Sequence, residues 1–158
     1  MRTQVSPIDQ NTIRRRGTGL RVLDPDRAFP GYTLFAPLTG QGEVYLIDLE
    51  GQVVHQWTLP YRPGGHGYLL PHGNLFYGGK GPEDQRFFPV WSNYRGGVLA
   101  EVDPQGTILW EHRCPDHHHD ACRLRNGNVV LLGLEKVPPA FVPHIRGGIP
   151  GSEVHGDI

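Results

Sequence analysis

The sequence lacks an excess of charge of either sign: Lys+Arg 15 against Asp+Glu 16 leaves a formal net charge of -1 over 158 residues. Such a balance gives no basis for attraction to nucleic acid or to an anionic membrane. Cysteine is scarce, with only Cys114 and Cys122. Two cysteines make no disulfide framework, and reduced thiols are the simpler reading, although the two are able to pair. No apolar run approaches the ~20 residues of a membrane span. No stretch of ~10 residues carries apolar spacing at 3.6, which argues against substantial helix. The opening "MRTQVSPIDQNTIRRRGTGL" contains Arg14, Arg15 and Arg16 but no apolar stretch after them. It is not a secretory signal, so a cytoplasmic location is the default expectation. Residues 1–30 read as a solvated arm.

What the chain does have is turn residues, with Gly 22 and Pro 15 spread along its length. They punctuate an internal repeat. Shifting "GEVYLIDLEGQVVHQWTLP" by 55 lays it on "GVLAEVDPQGTILWEHRCP", with Gly42 on Gly97, Asp48 on Asp103, Gly51 on Gly106 and Pro60 on Pro115. The turns "DLEG" and "DPQG" each join two β-rich runs, with a glycine available for positive φ and an aspartate for turn hydrogen bonds. "GYLLPHGNLFYGGK" and "ACRLRNGNVVLLGLEK" match at an offset of 54, through Leu70 on Leu124, Gly73 on Gly127 and Asn74 on Asn128. This predicts a second family of hairpins.

The unit is four short strands in about 55 residues, placed near 66–71, 74–79, 97–103 and 107–113. The predicted fold is therefore all-β: a β-propeller of four-stranded antiparallel blades spanning 31–158. About two blades and the start of a third are present. "GYTLFAP" resembles the second strand of a unit, and Gly156, Asp157 and Ile158 the start of a third strand. In strand 97–103, Val98, Ala100 and Val102 face one side and Leu99, Glu101 and Asp103 the other. Trp57 and Trp110, ending the outermost strands, are expected to pack between blades. Fewer than three blades leave raw faces and edges exposed. The chain is thus expected to be a fragment of a longer protein or to close the ring as a homo-oligomer.

"GYTLFAPLTGQGEVYLIDLEGQVVHQW", "GGHGYLLPHGNLFYGG", "GGVLAEVDPQGTILWEH" and "HHDACRLRNGNVVLLG" together resemble the arylsulfotransferase family over residues 30–158. The resemblance implies a six-bladed propeller that transfers a sulfuryl group from one phenol to another through a histidine intermediate. No nucleotide sulfate donor or other cofactor is implied. The partners are small phenols and aryl sulfates, and the secreted family members are periplasmic. The family's accepting histidine is expected on a blade after residue 158.

Sulfuryl transfer needs a neutral nitrogen nucleophile, donors for the sulfuryl oxygens and an acid for the leaving phenolate. Histidine serves in all three roles near neutral pH, and arginine offers a fixed fork of donors. Innermost strands begin near a propeller axis, so the candidate catalytic residues are His119, Asp120, His118 and His66. The motif match carries His119 to the family's inward histidine. Asp120 would orient an imidazole or accept a hydrogen bond from a neighbouring loop. His118 faces the channel or is structural. His66 stays open, because alignment on Gly73 and Gly127 sets it against Asp120. Strand alternation puts Arg123 on the side of His119, making it a candidate substrate contact together with Trp91 and Phe141 from the two insertions. Phe87, Phe88 and Tyr94 share that candidacy. His117 reads as solvated loop, His72 as an exposed hairpin tip, and His55 and His112 as surface residues. Two other classes stand beside this reading. One is a metal-dependent propeller using His117 and His119 with His66 or His155, although no spacing typical of a metal motif is present. The other is a non-catalytic binding or assembly module.

Overall fold

A computed structural model describes residues 20–81, 96–146 and 154–158. Trp91, Phe87, Phe88, Tyr94 and the arginine run lie outside the described residues. Among the described residues ten strands form three antiparallel sheets. The first holds β1 (Thr33–Phe35), β2 (Glu43–Ile47) and β3 (Val53–Thr58). The second holds β4 (Pro63–Leu69), β5 (Leu75–Lys80), β6 (Gly97–Val102) and β7 (Ile108–Arg113). The third holds β8 (His117–Arg123), β9 (Val129–Lys136) and β10 (His155–Asp157). Among the described residues helix is limited to a 3-10 turn, Val142–His144, and none is long and apolar enough to cross a membrane.

The strands match the repeat position by position. β2 and β6 stand at equivalent places, and each pairs with an outer strand carrying one extra residue, Val54 in β3 and Leu109 in β7. The turns follow from their chemistry. Asp48 Oδ1 accepts the Gln52 N–H at 2.7 Å and Asp103 Oδ1 the Thr107 N–H at 2.8 Å. Gly51 and Gly106 then take φ of 78° and 90°, which only glycine adopts at no cost.

The four-stranded unit is complete once among the described residues; the flanking sheets have three strands each. The first sheet holds the second to fourth strand positions, the third sheet the first to third. The sequence accounts for the first case. Ahead of β1 there is no Leu-x-x-Gly-Asn hairpin like those linking β4 to β5 and β8 to β9, and residues 25–27 form a turn instead. The described residues close no ring.

Alternation supplies two cores, one at each junction between sheets. Val44, Trp57 and Leu59 meet Leu75, Tyr77, Ala100 and Val102 at the first. Leu70, Phe76 and Leu99 meet Ala121 at the second, with Val129 and Leu131 packed against them. Both faces of the middle sheet are thereby buried, as the alternation of Ala100 and Val102 against Leu99 requires. Trp57 is 3% exposed and its Nε1–H donates to the Asp103 carbonyl at 2.9 Å. Trp110 stacks on Phe76. Both tryptophans pack between sheets.

Candidate functional site

The edge strands β4 and β8, which open the second and third sheets, begin with the same irregularity. Pairing slips between Pro63 and His66 in β4, and between His117 and Ala121 in β8. At the repeat offset of 54, Pro63 lies on His117, Gly64 on His118, Gly65 on His119 and His66 on Asp120. Both bulges need a left-handed residue. Gly65 supplies it in β4 at φ 101°; in β8 the residue is His119 at φ 55°, the one non-glycine with positive φ among the described residues. A side chain there costs on the order of 1 kcal/mol or more.

The bulge decides which way each imidazole points. His117 and His118, adjacent in sequence, are both buried, at 1% and 6% exposure. The expectation that His117 is solvated loop is therefore corrected, because the bulge folds its ring onto the Gly96–Gly97 backbone. Nδ1 of His117 accepts the Gly97 N–H at 3.4 Å, and its carbonyl accepts the Gly96 N–H at 3.0 Å. A Cβ on Gly96 would stand 2.0 Å from that Nδ1, so the ring can lie there only over a glycine. Burial pushes the His117 pKa down to about 4, against a smaller opposing pull from the Asp120 backbone. The ring is neutral at pH 7. Since Nδ1 accepts, its proton sits on Nε2, which has no hydrogen-bond partner among the described residues. A buried orphan of this kind costs ~1–3 kcal/mol unless an ordered water meets it.

His66 packs edge-on against Tyr68 and Phe76, and its Nδ1 lies 2.9 Å from Asp120 Oδ1. The same oxygen accepts the Ala121 N–H at 2.8 Å. Asp120 is thus held by a backbone donor and by an imidazole of the preceding sheet, while its outer edge stays in solvent. His118 bridges in two directions. Its Nδ1 is 2.7 Å from Nδ1 of His119, and its Nε2 is 3.2 Å from Asp157 Oδ1. His119 itself is exposed. The arrangement is one accessible imidazole beside two buried ones and the half-buried His66, with a carboxylate on either side.

Four candidates, His66, His118, His119 and Asp120, are brought together here. Arg123 is not with them. Its guanidinium is 3.2 Å from Glu101 and 4.6 Å over the Trp110 ring, at the far end of β8. The alternation that set it beside His119 is broken by the bulge. Hydrogen bonds from Asn74 and His72, with the Arg123 charge, hold the Glu101 carboxyl below its usual range. Phe141 is exposed in the connection between β9 and β10. His55 is half-buried rather than a plain surface residue, donating from Nε2 to the Pro104 carbonyl at 2.8 Å, whereas His72 and His112 are exposed. Cys114 and Cys122 are both free. Among the described residues no group of three ligands is disposed to hold a metal ion.

Asp157 was not among the sequence candidates. The available signal was its place on the predicted strand after His155, where only the histidine drew attention. Beside β4 lies a cleft of about 190 Å³ between the first and second sheets, lined mainly by Leu34, Phe35, Ala36, Val44, Pro63 and Tyr77 and reaching His66.

Comparison with family models, curated proteins and solved structures finds no match. The arylsulfotransferase resemblance thus rests on the quoted motifs alone, and any function has to be argued from the site.

Proposed function

We propose that this chain is part of a β-propeller whose histidine-lined opening transfers sulfuryl groups between phenols, with His119 as the residue that handles the phenol proton. The observation that carries the reading is the pairing of exposure and strain at His119. It is the accessible imidazole of the cluster, and it occupies a left-handed position that the equivalent strand fills with Gly65. Strain of this kind persists where the side chain does something a glycine cannot.

In the proposed reaction the S–O bond of an aryl sulfate breaks, and its electrons leave on the phenol oxygen. The sulfuryl group passes to an imidazole of the assembled channel and then to the oxygen of a second phenol. His119 gives its proton to the leaving oxygen and takes one from the incoming hydroxyl. Asp120 and His66 hold the loop. The cleft beside β4, with Phe35, Pro63 and Tyr77 among its lining residues, has room for an aryl ring.

The test is phenol-to-phenol sulfuryl transfer by purified protein. His119→Ala is expected to lower it ~10²–10⁴-fold, the usual contribution of one positioned acid–base group. His112→Ala, on an exposed outer strand, should leave it unchanged. Wild-type rates in a folded His119→Ala protein, or no transfer by the wild-type protein, would overturn the reading.

A further inference from the structure

We propose that this chain assembles head-to-tail with a second copy of itself, the open face of the third sheet of each copy seating on the open face of the first sheet of the other. The inference rests on the propeller reading and not on sulfuryl transfer. It names the surfaces by which the described sheets reach a closed ring.

The argument starts from the two junctions inside the chain. A β-sheet has two faces, and in the middle sheet both are filled. Leu75, Tyr77, Ala100 and Val102 form a leading face that meets the first sheet. Phe76 and Leu99 lie on the trailing face and meet Ala121, Val129 and Leu131 of the third. Val44, which fills the first junction from the other side, stands at the offset of 55 from Leu99, so it too lies on a trailing face. Both junctions therefore set the trailing face of one sheet on the leading face of the next.

Each end sheet has one face left over. Tyr45 and Ile47 stand at the offset of 55 from Ala100 and Val102. Phe35 pairs with Tyr45 as Tyr77 pairs with Ala100, so it holds the place of Tyr77. Phe35, Tyr45 and Ile47 thus make a leading face, on which the first two rings stack at 5.4 Å. Yet Phe35 is 42% exposed where Tyr77 is 1%. At the other end Val130 and Leu132 stand at the offset of 54 from Phe76 and Gly78, on a trailing face. Val130 is 58% exposed where Phe76 is 0%.

Apolar side chains therefore lie open at both places where the repeat puts a sheet junction, a leading face at one end and a trailing face at the other. A second copy supplies both covers at once. The contact is heterologous, one patch on a different patch, and it gives a ring where the rotation closes. Propellers typically close with ~4–8 blades. Each chain has three sheets among its described residues, so two copies, with six, are the whole number of chains within that range. Val130 of one copy would then meet Phe35 of the other. Their equivalents at the second internal junction are Phe76 and Leu131, which share one core.

Sedimentation equilibrium of the purified chain reads the assembly without any activity. The wild-type protein is expected at twice the 17.6 kDa of one chain at micromolar concentration. Phe35→Glu and Val130→Glu, each at an exposed position, should run as single chains with an unchanged circular dichroism spectrum. Tyr45→Glu and Leu132→Glu, on the same two faces, should behave alike. Phe35→Glu and Val130→Glu mixed in equal amounts should regain the two-chain mass, because one junction of the mixed pair keeps both native faces. Leu109→Glu, exposed on the outer strand β7, should stay at the two-chain mass. A single-chain mass for the wild-type protein would overturn the inference, since something other than a second copy would then cover those faces. So would a two-chain mass in the single variants, a mixture that stays at one chain, or a mass that grows without limit with concentration. A two-chain protein that transfers no sulfuryl group would sustain the assembly and remove the proposed substrate.

Discussion

The openings of β4 and β8 are the same piece of backbone carrying different chemistry. Both slip register at the first residues of an edge strand, and both pass through a left-handed residue. β4 writes the bulge as Pro63-Gly64-Gly65-His66; β8 writes it as His117-His118-His119-Asp120. In β4 the backbone's requirement is met with glycine and nothing is strained. In β8 three imidazoles occupy the positions of a proline and two glycines, and two of them are buried. The difference separates what the fold needs from what has been placed upon it. The last residues of the two bulges then meet across the sheet junction, His66 Nδ1 on Asp120 Oδ1 at 2.9 Å. The plain opening thus supports the decorated one.

The largest effect comes from making β8 resemble β4. His119→Gly should lower the proposed sulfuryl transfer to the extent given for alanine, ~10²–10⁴-fold, while leaving a folded protein by circular dichroism. Undiminished turnover in that variant would mean that the difference between the openings has no catalytic content.

A smaller effect concerns His117, where β4 has a proline that cannot titrate. The folded pKa of about 4 lies below the unfolded value near 6.5. The unfolded chain therefore binds the proton first. This contribution to stability is fully present above pH ~6.5 and is lost as the pH falls toward ~4, up to about 3 kcal/mol in all. Denaturant midpoints measured from pH 7 to pH 4 should fall steeply, and His117→Gln should flatten that dependence. A wild-type midpoint that does not change over this range would contradict a buried neutral ring.

The strain comparison is smaller again. His119→Gly should raise stability by about 0.5–1 kcal/mol relative to His119→Ala, because glycine alone is at ease at φ 55°. Gly65→Ala should cost a similar amount or more in β4, where φ is 101° and the space around a Cβ is open. Equal midpoints for glycine and alanine at both sites would show that the left-handed turns are not needed. Least of all, His112→Ala, at an exposed position outside both openings, should shift stability by no more than about 0.5 kcal/mol.

Much of this could be read along the chain. The offsets of 55 and 54 placed β2 on β6 and the hairpin of β4 and β5 on that of β8 and β9, because turns are local. An aspartate three residues before a glycine makes the same hydrogen bonds wherever it falls, as Asp48 and Asp103 do. Alternation assigned Ala100, Val102 and Leu99 to their faces because a straight strand has period two. The same rule failed at β8, where the chain is not straight. It put Arg123 on the side of His119. Instead His117 is buried, His119 is exposed, and Arg123 lies against Trp110 and Glu101.

The sequence alone thus determined the period, the strand positions, the turns and the gathering of histidines at the start of β8, since each depends on neighbours a few residues apart. The tertiary structure alone decided which imidazoles are buried and which carboxylate each one meets. His66 and Asp120 are 54 residues apart, and His118 and Asp157 are 39 apart. Their contacts depend on how one sheet seats against the next and on a bulge whose direction is fixed by packing over Gly96 and Gly97. No local pattern encodes those two facts, because both arise from surfaces that meet only after the strands have formed.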